Sequence, residues 1–572
     1  MSIYDWTIML GTLLGIVAYG VWKTRDVNNV KSYLLGDRDL PWWTIGLSIM
    51  ATQASAITFL STPGQAYEDG MRFAQFYFGL PIAMVILCIF VLPIYYRLNV
   101  YTAYEYLESR FDLKTRSLTA ILFLIQRGLA AGITIFAPSI ILSSILGWDL
   151  FYTNVSIGTL VIIYTVAGGT KAVSVTQKQQ MIVILSGMVT AAIILVMRLP
   201  EDISFGEAVG VAGKMGKLNV VDFDFDLENR YNMWSALLGG TFLFLSYFGT
   251  DQSQVQRYLS GKSLTESRLG LLFNGIFKVP MQFLILFVGI LVFLFFQFNQ
   301  SPLHFNEANV VQIQNSNYAV EYQDLEKQHR TNFVEKQVAI RNLVDAINGT
   351  DEQVIEQARS EVNQLMAAEK DLRSQAKAII KTNNPGADTE DTDYVFINFV
   401  TKHLPVGLVG LLLAVIFSAA MSSTASELNA LATTTVVDLY RRSMKTDGTD
   451  QHYLMASKMF TVMWGIIALI FATSASLFDN LIEAVNIIGS VFYGAILGIF
   501  VVAFFFKKVG GKAVFIGALI GELIVIVLFV MTRLEMIDLA YLWLNLIGCV
   551  LVVALSTLLQ GVNGGEEEPQ SA

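Results

Sequence analysis

Cysteine and histidine are scarce, with two and four among 572 residues. Cys88 and Cys549 both fall within apolar stretches, so neither a disulfide framework nor a cysteine metal cluster is indicated, and no redox compartment follows. The four histidines read as loop residues. No nucleophile beside a base, no metal-ligand cluster and no phosphate-binding loop can be picked out, so the chain reads as a non-enzyme without a cofactor. Charge is sparse too, at 15% of residues, and the net value of −9 argues against nucleic acid as a partner. With 54% hydrophobic residues, the chain is too apolar for a soluble multidomain protein.

What fills it instead is a series of about thirteen apolar stretches, each long enough to cross a bilayer: residues 4–22, 42–66, 74–98, 117–145, 153–169, 178–198, 233–253, 268–298, 404–435, 455–473, 484–506, 512–531 and 538–558. The sequence predicts an all-α polytopic membrane protein. The first stretch lacks a basic leader and a small-residue cleavage site and carries Asp5 and Trp6 at its start, so it reads as a retained helix with the N-terminus outside. Alternate short loops hold the positive charge, among them Arg25 and Lys31, Arg110 and Arg116, Arg257 and Lys262, Arg441 and Arg442, and Lys507 and Lys508. Those loops are expected in the cytoplasm, and the acidic tail GGEEEPQSA with them. The lysine-free loops 146–152 and 474–483 keep the phase. A multi-pass plasma-membrane protein, of the kind found in a bacterial inner membrane, fits this pattern.

Between 299 and 402 the composition turns charged, with Val334, Val338, Leu343 and Val344, then Val354, Ile355, Val362 and Leu372, at helical spacing on either side of Asn348-Gly349-Thr350-Asp351. This predicts an antiparallel helical hairpin projecting outside the membrane. It is either a solvated insertion or a surface for an extracytosolic partner or self-contact. The chain thus divides into 1–41, a first span with its loop; 42–298, a first core segment; 299–402, the hairpin; 403–506, the rest of the core; and 507–572, two peripheral spans and the tail.

Three places break the apolar pattern. MATQASAITFLSTPG, residues 50–64, puts small and hydroxyl residues in mid-span and ends in Pro63-Gly64, which serves either close helix packing or an unwound segment. Residues 410–440 carry Ser422 and Ser423 in mid-span, beside Ser418, Thr424 and Ser426. Hydroxyls and freed carbonyls are hard oxygen ligands, suited to sodium. The third place is LFLSYFGTDQSQVQRYLSGKS, residues 243–263, where a span runs into a basic loop.

The string GTDQSQVQRYLS, with SAITFLSTPGQAY, YTVAGGTKAV and SAAMSSTASELNALAT, resembles the sodium:solute symporter family, nearest the branch with the monocarboxylate, iodide, multivitamin and sialic-acid symporters. The resemblance implies a LeuT-type core of ten helices in two inverted five-helix repeats, residues 42–198 and 233–506. It also implies a main sodium site on the carbonyls of Ala51, Ala54 and Ala419 and the hydroxyls of Ser422 and Ser423. Two departures matter: Gln177 stands where many members have an aspartate near the sodium route, and Ala425 where members with a second site have a serine. One sodium per cycle is therefore expected. Glu427 either offsets the missing carboxylate or faces a neighbouring helix or wet cavity.

Arg127 lies about ten residues into its span, roughly 15 Å deep, with no acid near it on its own helix. Its planar fork suits a carboxylate, and it resembles the arginine with which sialic-acid symporters hold their substrate, beside hydroxyls matching Ser55 and Thr58. Pairing with an acid on another span is the alternative. Lys278 is a second deep cation, matching a substrate-site lysine of sugar-transporting relatives, or else snorkelling along its helix. The sugar-contacting asparagine is Phe244 here, while the gate tyrosine is kept as Tyr247. Arg127, Ser55, Thr58, Gln75 and Tyr247 together favour an organic anion, walled by Phe76, Tyr77, Phe248 and Tyr493 or merely packed among them. A sodium-coupled importer of a small carboxylate, such as a sialic acid or monocarboxylate, is expected. A sodium-coupled sugar symporter, a proton-coupled carrier and a non-transporting solute sensor are the alternatives.

Overall fold

The computed structural model describes residues 1–23, 38–473 and 480–562. The basic loop with Arg25 and Lys31, most of the lysine-free loop at 474–483 and the acidic tail lie outside the described residues. Among those described, the chain is helical without a named strand. Its principal helices are α1 (Ile3–Lys23), α2 (Trp42–Gln53), α3 (Ala56–Asp69), α4 (Leu113–Leu146), α5 (Leu150–Met197), α6 (Phe205–Lys214), α7 (Thr241–Gly249), α8 (Gln252–Leu259), α9 (Leu264–Phe298), α10 (Ala319–Gly349), α11 (Glu352–Asn383), α12 (Leu408–Thr434), α13 (Asp450–Ala472), α14 (Leu481–Phe505), α15 (Gly511–Arg533) and α16 (Trp543–Val562). A mostly helical run, 79–98, follows a 3₁₀ segment at Gly70–Phe78. Nine helical segments of the described residues are long and apolar enough to cross a membrane, and three shorter apolar helices join them.

Several boundaries differ from the sequence expectation, each for a physical reason. The spans expected at 153–169 and 178–198 fall in one helical element, α5, of 48 residues. At 1.5 Å per residue a straight helix of that length would be about 72 Å long, over twice the hydrocarbon thickness. Its packing shows how it fits. Gly158 meets Leu469 and Ile162 meets Gly465, whereas farther on Thr170 meets Asn429 and Gly187 meets Leu412 and Val415. Each half of α5 is thus antiparallel to its partner, α13 and then α12. Those two partners are themselves antiparallel, because α4 pairs Arg116 with Asp438 and Arg127 with Glu427 on the α12 side but Gly128 with Trp464 and Gly132 with Phe471 on α13. The halves of α5 up to Ile162 and from Thr170 therefore run in opposite directions.

Pro63-Gly64 does not end its span, because α3 runs through Pro63 to Asp69. The missing side chain of Gly64 lets the Thr392 carbonyl approach to within 2.1 Å of where a Cβ would stand. The basic loop after residue 250 is not a solvated loop: α8 is buried along its whole length, and Arg257 is fully buried. Arg257 hydrogen-bonds Ser174 Oγ at 3.4 Å and Gln256 Oε1 at 3.2 Å. Loop charge here has become core. The histidines also depart from expectation, since His329 lies in α10, His403 in a short helix at Val395–His403 and His452 in the first turn of α13; His304 alone is in a loop.

The hairpin forms as α10 and α11, with Ile340, Leu343 and Val362 buried between them, but it does not project freely. Its tip is pinned to α6 and the preceding turn: Arg341 reaches Asp202 at 3.1 Å, Asn348 donates to Glu207 at 2.7 Å, and Lys214 meets Glu352 at 2.9 Å. Nearer the base, Glu369 takes Lys336 at 2.5 Å and His329 at 3.4 Å, while Asp391 takes Arg373 at 2.8 Å. Burial alone would raise the Glu369 carboxyl, but His329 and Lys336 outweigh it and hold it well below the usual range. A carboxylate depressed on folding stabilises above its ordinary pKa and loses that contribution as the pH falls. Glu369→Gln is accordingly expected to speed amide exchange in α10 and α11 several-fold at neutral pH, measured by hydrogen–deuterium exchange, with the difference from the native chain shrinking in acid. Equal exchange at neutral pH would show that the network does not hold the hairpin.

Candidate functional site

Two helices break in the buried interior of the bundle. Between α2 and α3, Ala54 leaves helical geometry at φ −84° and ψ 74°, and Ser55 caps the next helix in extended conformation without a side-chain capping bond. Between α7 and α8, Thr250 turns out at φ −129°, and Asp251 caps α8 by accepting from Ser253 N at 2.9 Å. A broken helix in a membrane exposes carbonyls at one new end and amides at the other, which is tolerated where they face a ligand or protein groups.

The carbonyl end of α2 faces α12. Ser422 Oγ reaches Ala51 O at 3.3 Å, across the two helices, and Ser423 Oγ donates back to Ala419 O at 3.0 Å and Ala420 O at 3.3 Å. Ala51, Ala54, Ala419, Ser422 and Ser423 are all buried. The Ser422–Ala51 spacing is longer than the roughly 2.7–2.8 Å of a good hydroxyl hydrogen bond. Next to this group, Gln177 Nε2 donates to Ser426 Oγ at 2.9 Å, Thr52 Oγ1 at 3.0 Å and Ser422 O at 3.4 Å, and its Oε1 accepts from Ser48. The amide nitrogen occupies a position ringed by three oxygens. Ala425 packs on Val173.

Arg127 is already paired, on the alternative the sequence left open. Its guanidinium binds the Asp251 carboxylate, Glu427 Oε1 at 3.1 Å and the Tyr493 hydroxyl at 2.6 Å, and lies over the Tyr247 ring at 5.3 Å. All of Arg127, Asp251 and Glu427 are more than nine-tenths buried. An arginine at this depth requires anionic company, and two acids from other spans supply it.

A cavity of about 70 Å³ adjoins the break between α2 and α3 and is walled by α7 through Leu243, Phe244 and Tyr247. Ser55, Thr58, Arg127 and Tyr247 line it as expected, together with Phe76, Tyr77 and Tyr493. Phe248 does not; it packs behind, against Tyr247 and Phe244. Gln75 does not line it either, since its amide is spent on Tyr231 O at 2.9 Å and Asp222 N at 3.0 Å, tying down the 222–231 loop. Lys278 is fully buried and its Nζ has no hydrogen-bond partner, so it does not snorkel; it lies 5.9 Å from the Tyr77 ring centroid and outside the cavity wall. Gln53, Thr134, Phe244 and Asn486 line the cavity without having been singled out as ligands, and Asp251 was missed as the partner of Arg127. The one sequence signal for Asp251 was its place in the Thr-Asp-Gln turn that ends a span.

The sodium:solute symporter family model matches residues 33–325 and 366–521. The unmatched gap is the outer half of the hairpin. The human sodium/iodide cotransporter is 31% identical over 283 residues, 48% of this chain and 43% of that protein, so this match spans less than half the relative's length. The mouse sodium-coupled monocarboxylate transporter 2 is 25% identical over 521 residues, 91% of this chain and 71% of the relative. The rabbit sodium-dependent multivitamin transporter is 26% identical over 521 residues, 90% and 68% of the two chains. A solved substrate-bound, outward-open Na⁺-coupled sialic acid symporter has the same fold, with a TM-score of 0.74 over 99% of each chain at 21% identity. These relatives are transporters, not enzymes, and sodium is the coupling ion their family implies. With a family model matching well over half of its length, the chain belongs to the sodium:solute symporter family.

Proposed function

We propose that the protein is a sodium-coupled secondary active symporter that imports a small organic solute bearing a carboxylate, by alternating access around the central cavity. The break at Ala54–Ser55 carries the reading. Its carbonyl end, on α2, meets the Ser422 hydroxyl, next to which α12 holds the Ser423 hydroxyl on the Ala419 carbonyl, a set of hard oxygens suited to sodium. Its amide end, the start of α3, opens into the cavity through Ser55, Ile57 and Thr58. Helix amino termini attract carboxylates, so the anion-binding role expected of Arg127 passes to this end. One break then holds ion and solute on opposite sides. Sodium joining α2 to α12 favours the conformation in which that end is formed, and a ligand shifts an equilibrium by its differential affinity for the two states.

Thirteen crossings, two inverted repeats, an outward N-terminus and a bacterial inner membrane complete the proposal. The reversal in α5 and the paired breaks at Ala54 and Thr250 support the first two. The small cavity and the name of the monocarboxylate relative favour a monocarboxylate over a larger sugar acid. The test is uptake into proteoliposomes of labelled lactate, sialic acid and a neutral hexose, with an inward sodium gradient or with potassium in its place. Accumulation of an acid only with sodium supports symport; uptake of hexose alone overturns the carboxylate, and binding without uptake favours a sensor.

One sodium per cycle is proposed because the Gln177 amide supplies donors where a second cation would need acceptors. Gln177→Asp is expected to steepen the sodium dependence of uptake, moving the Hill coefficient from near one towards two. An unchanged slope would mean that the ring of Thr52, Ser426 and Ser422 oxygens is not a latent ion site.

A further inference from the structure

The central cavity contains one negative charge too many for a simple anion site. Of the described residues lining it only Arg127 and Glu427 are charged, and Arg127 is shared with Asp251, so one cation faces two carboxylates. Asp251 is fully engaged: Oδ1 accepts from Ser253 N and Oγ, and Oδ2 from Arg127 and the Tyr493 hydroxyl. Glu427 is not. Its Oε1 meets Arg127, whereas its buried Oε2 has at most the neighbouring Thr134 hydroxyl, which already donates to Ala130 O at 3.0 Å. An unsatisfied carboxylate oxygen in a membrane interior is costly and calls for a positive partner.

The rest of the wall is suited to a particular kind of cation. Phe76, Tyr77 and Phe244 touch one another, with ring centroids 5.0 to 5.9 Å apart, and form a continuous aromatic surface on the same cavity. Aromatic faces with one carboxylate recognise organic ammonium groups, which shed water more readily than a metal ion and gain from the ring quadrupoles. We propose that Glu427 and this aromatic wall receive a cationic nitrogen of the solute, so that the transported molecule is a small zwitterion, an amino acid or betaine. The carboxylate half of this assignment rests on the reading of the α3 amino terminus above; the ammonium half rests on Glu427 alone. The charges then balance: ammonium against Glu427, carboxylate against the helix end, and Arg127 left with Asp251.

Isosteric pairs test it. L-alanine and L-lactate differ by ammonium for hydroxyl, and glycine betaine and 3,3-dimethylbutanoate by a quaternary nitrogen for a quaternary carbon. Sodium-driven uptake of the four labelled compounds into proteoliposomes of the full chain should favour the nitrogen member of at least one pair by about tenfold or more. Glu427→Gln should erase that preference, and Glu427→Asp should retain part of it. The preference within the native protein needs no variant, so a poorly folding Glu427→Gln does not remove the test. Equal uptake of both members, or preference for lactate and dimethylbutanoate, overturns the ammonium site while leaving sodium–carboxylate symport standing. Lactate uptake accompanied by one proton that disappears in Glu427→Gln assigns the site to a proton and likewise overturns it. Absence of sodium-driven uptake for all four overturns both readings.

Discussion

Arg127→Ala should destabilise the protein before it affects any solute. The side chain holds two carboxylates, Asp251 and Glu427, which among the described residues have no other cation in contact, and its loss leaves both charges buried and uncompensated. Removing one partner of a buried ion pair costs about 3–5 kcal/mol, whereas replacing the whole set by neutral groups of similar shape is far milder. The expected result is low yield and a melting temperature in detergent lowered by many degrees. Arg127→Leu combined with Asp251→Asn and Glu427→Gln should recover most of the loss, because asparagine still caps α8 and no charge remains to be matched. If Arg127→Ala instead melts like the native chain and only loses uptake, the guanidinium acts on the solute and the pairing is incidental.

The contrast between Arg127 and the serine pair shows what a sequence discloses and what it withholds. Ser422 and Ser423 stand out because a hydroxyl pair in an apolar span has few explanations, and the broken helix opposite is marked by small and hydroxyl residues over 50–64. The partners of Arg127 lie 124 and 300 residues away, and spacing along the chain says nothing about contacts of that range. Gln75 and Lys278 fail as cavity residues for a related reason. Gln75 precedes the cavity-lining Phe76 and Tyr77, but side-chain direction decides what a residue lines, and its amide turns to the 222–231 loop; Lys278 is on α9, none of whose residues lines the wall, and lies behind Tyr77. Hydropathy separated the stretches 153–169 and 178–198 because it reads composition, but it could not show that they fall in one helical element whose halves pack on different partners. Likewise the helical spacing of Leu343, Val344 and Val362 announced the hairpin. Its anchorage depends on Asp202, Glu207 and Lys214, in and just before α6 and 138 to 141 residues from their partners, a range that spacing along the chain does not disclose.

The serine pair also permits a test that separates ion binding from folding. Ser423 bonds back to Ala419 and Ala420 within its own helix, and alanine is a better helix former than serine, so Ser423→Ala should fold as well as the native chain without sodium. Ser422 differs, because its hydroxyl reaches across to Ala51 and is the element through which an ion would draw α12 to α2. Both substitutions remove an oxygen from the proposed ion site, and each should raise the sodium concentration for half-maximal uptake by roughly ten- to a hundredfold. The same change has a thermodynamic signature. A ligand that binds the folded state stabilises it by RT ln(1 + [L]/Kd), so a tenfold weaker site forfeits about 1.4 kcal/mol of sodium-dependent stabilisation at saturating salt. Melting curves in sodium and in potassium should therefore lie closer together in either variant than in the native protein, with the potassium curve unmoved for Ser423→Ala. An undiminished sodium shift in both variants would place the coupling ion elsewhere, and the break at Ala54–Ser55 would then serve the solute alone.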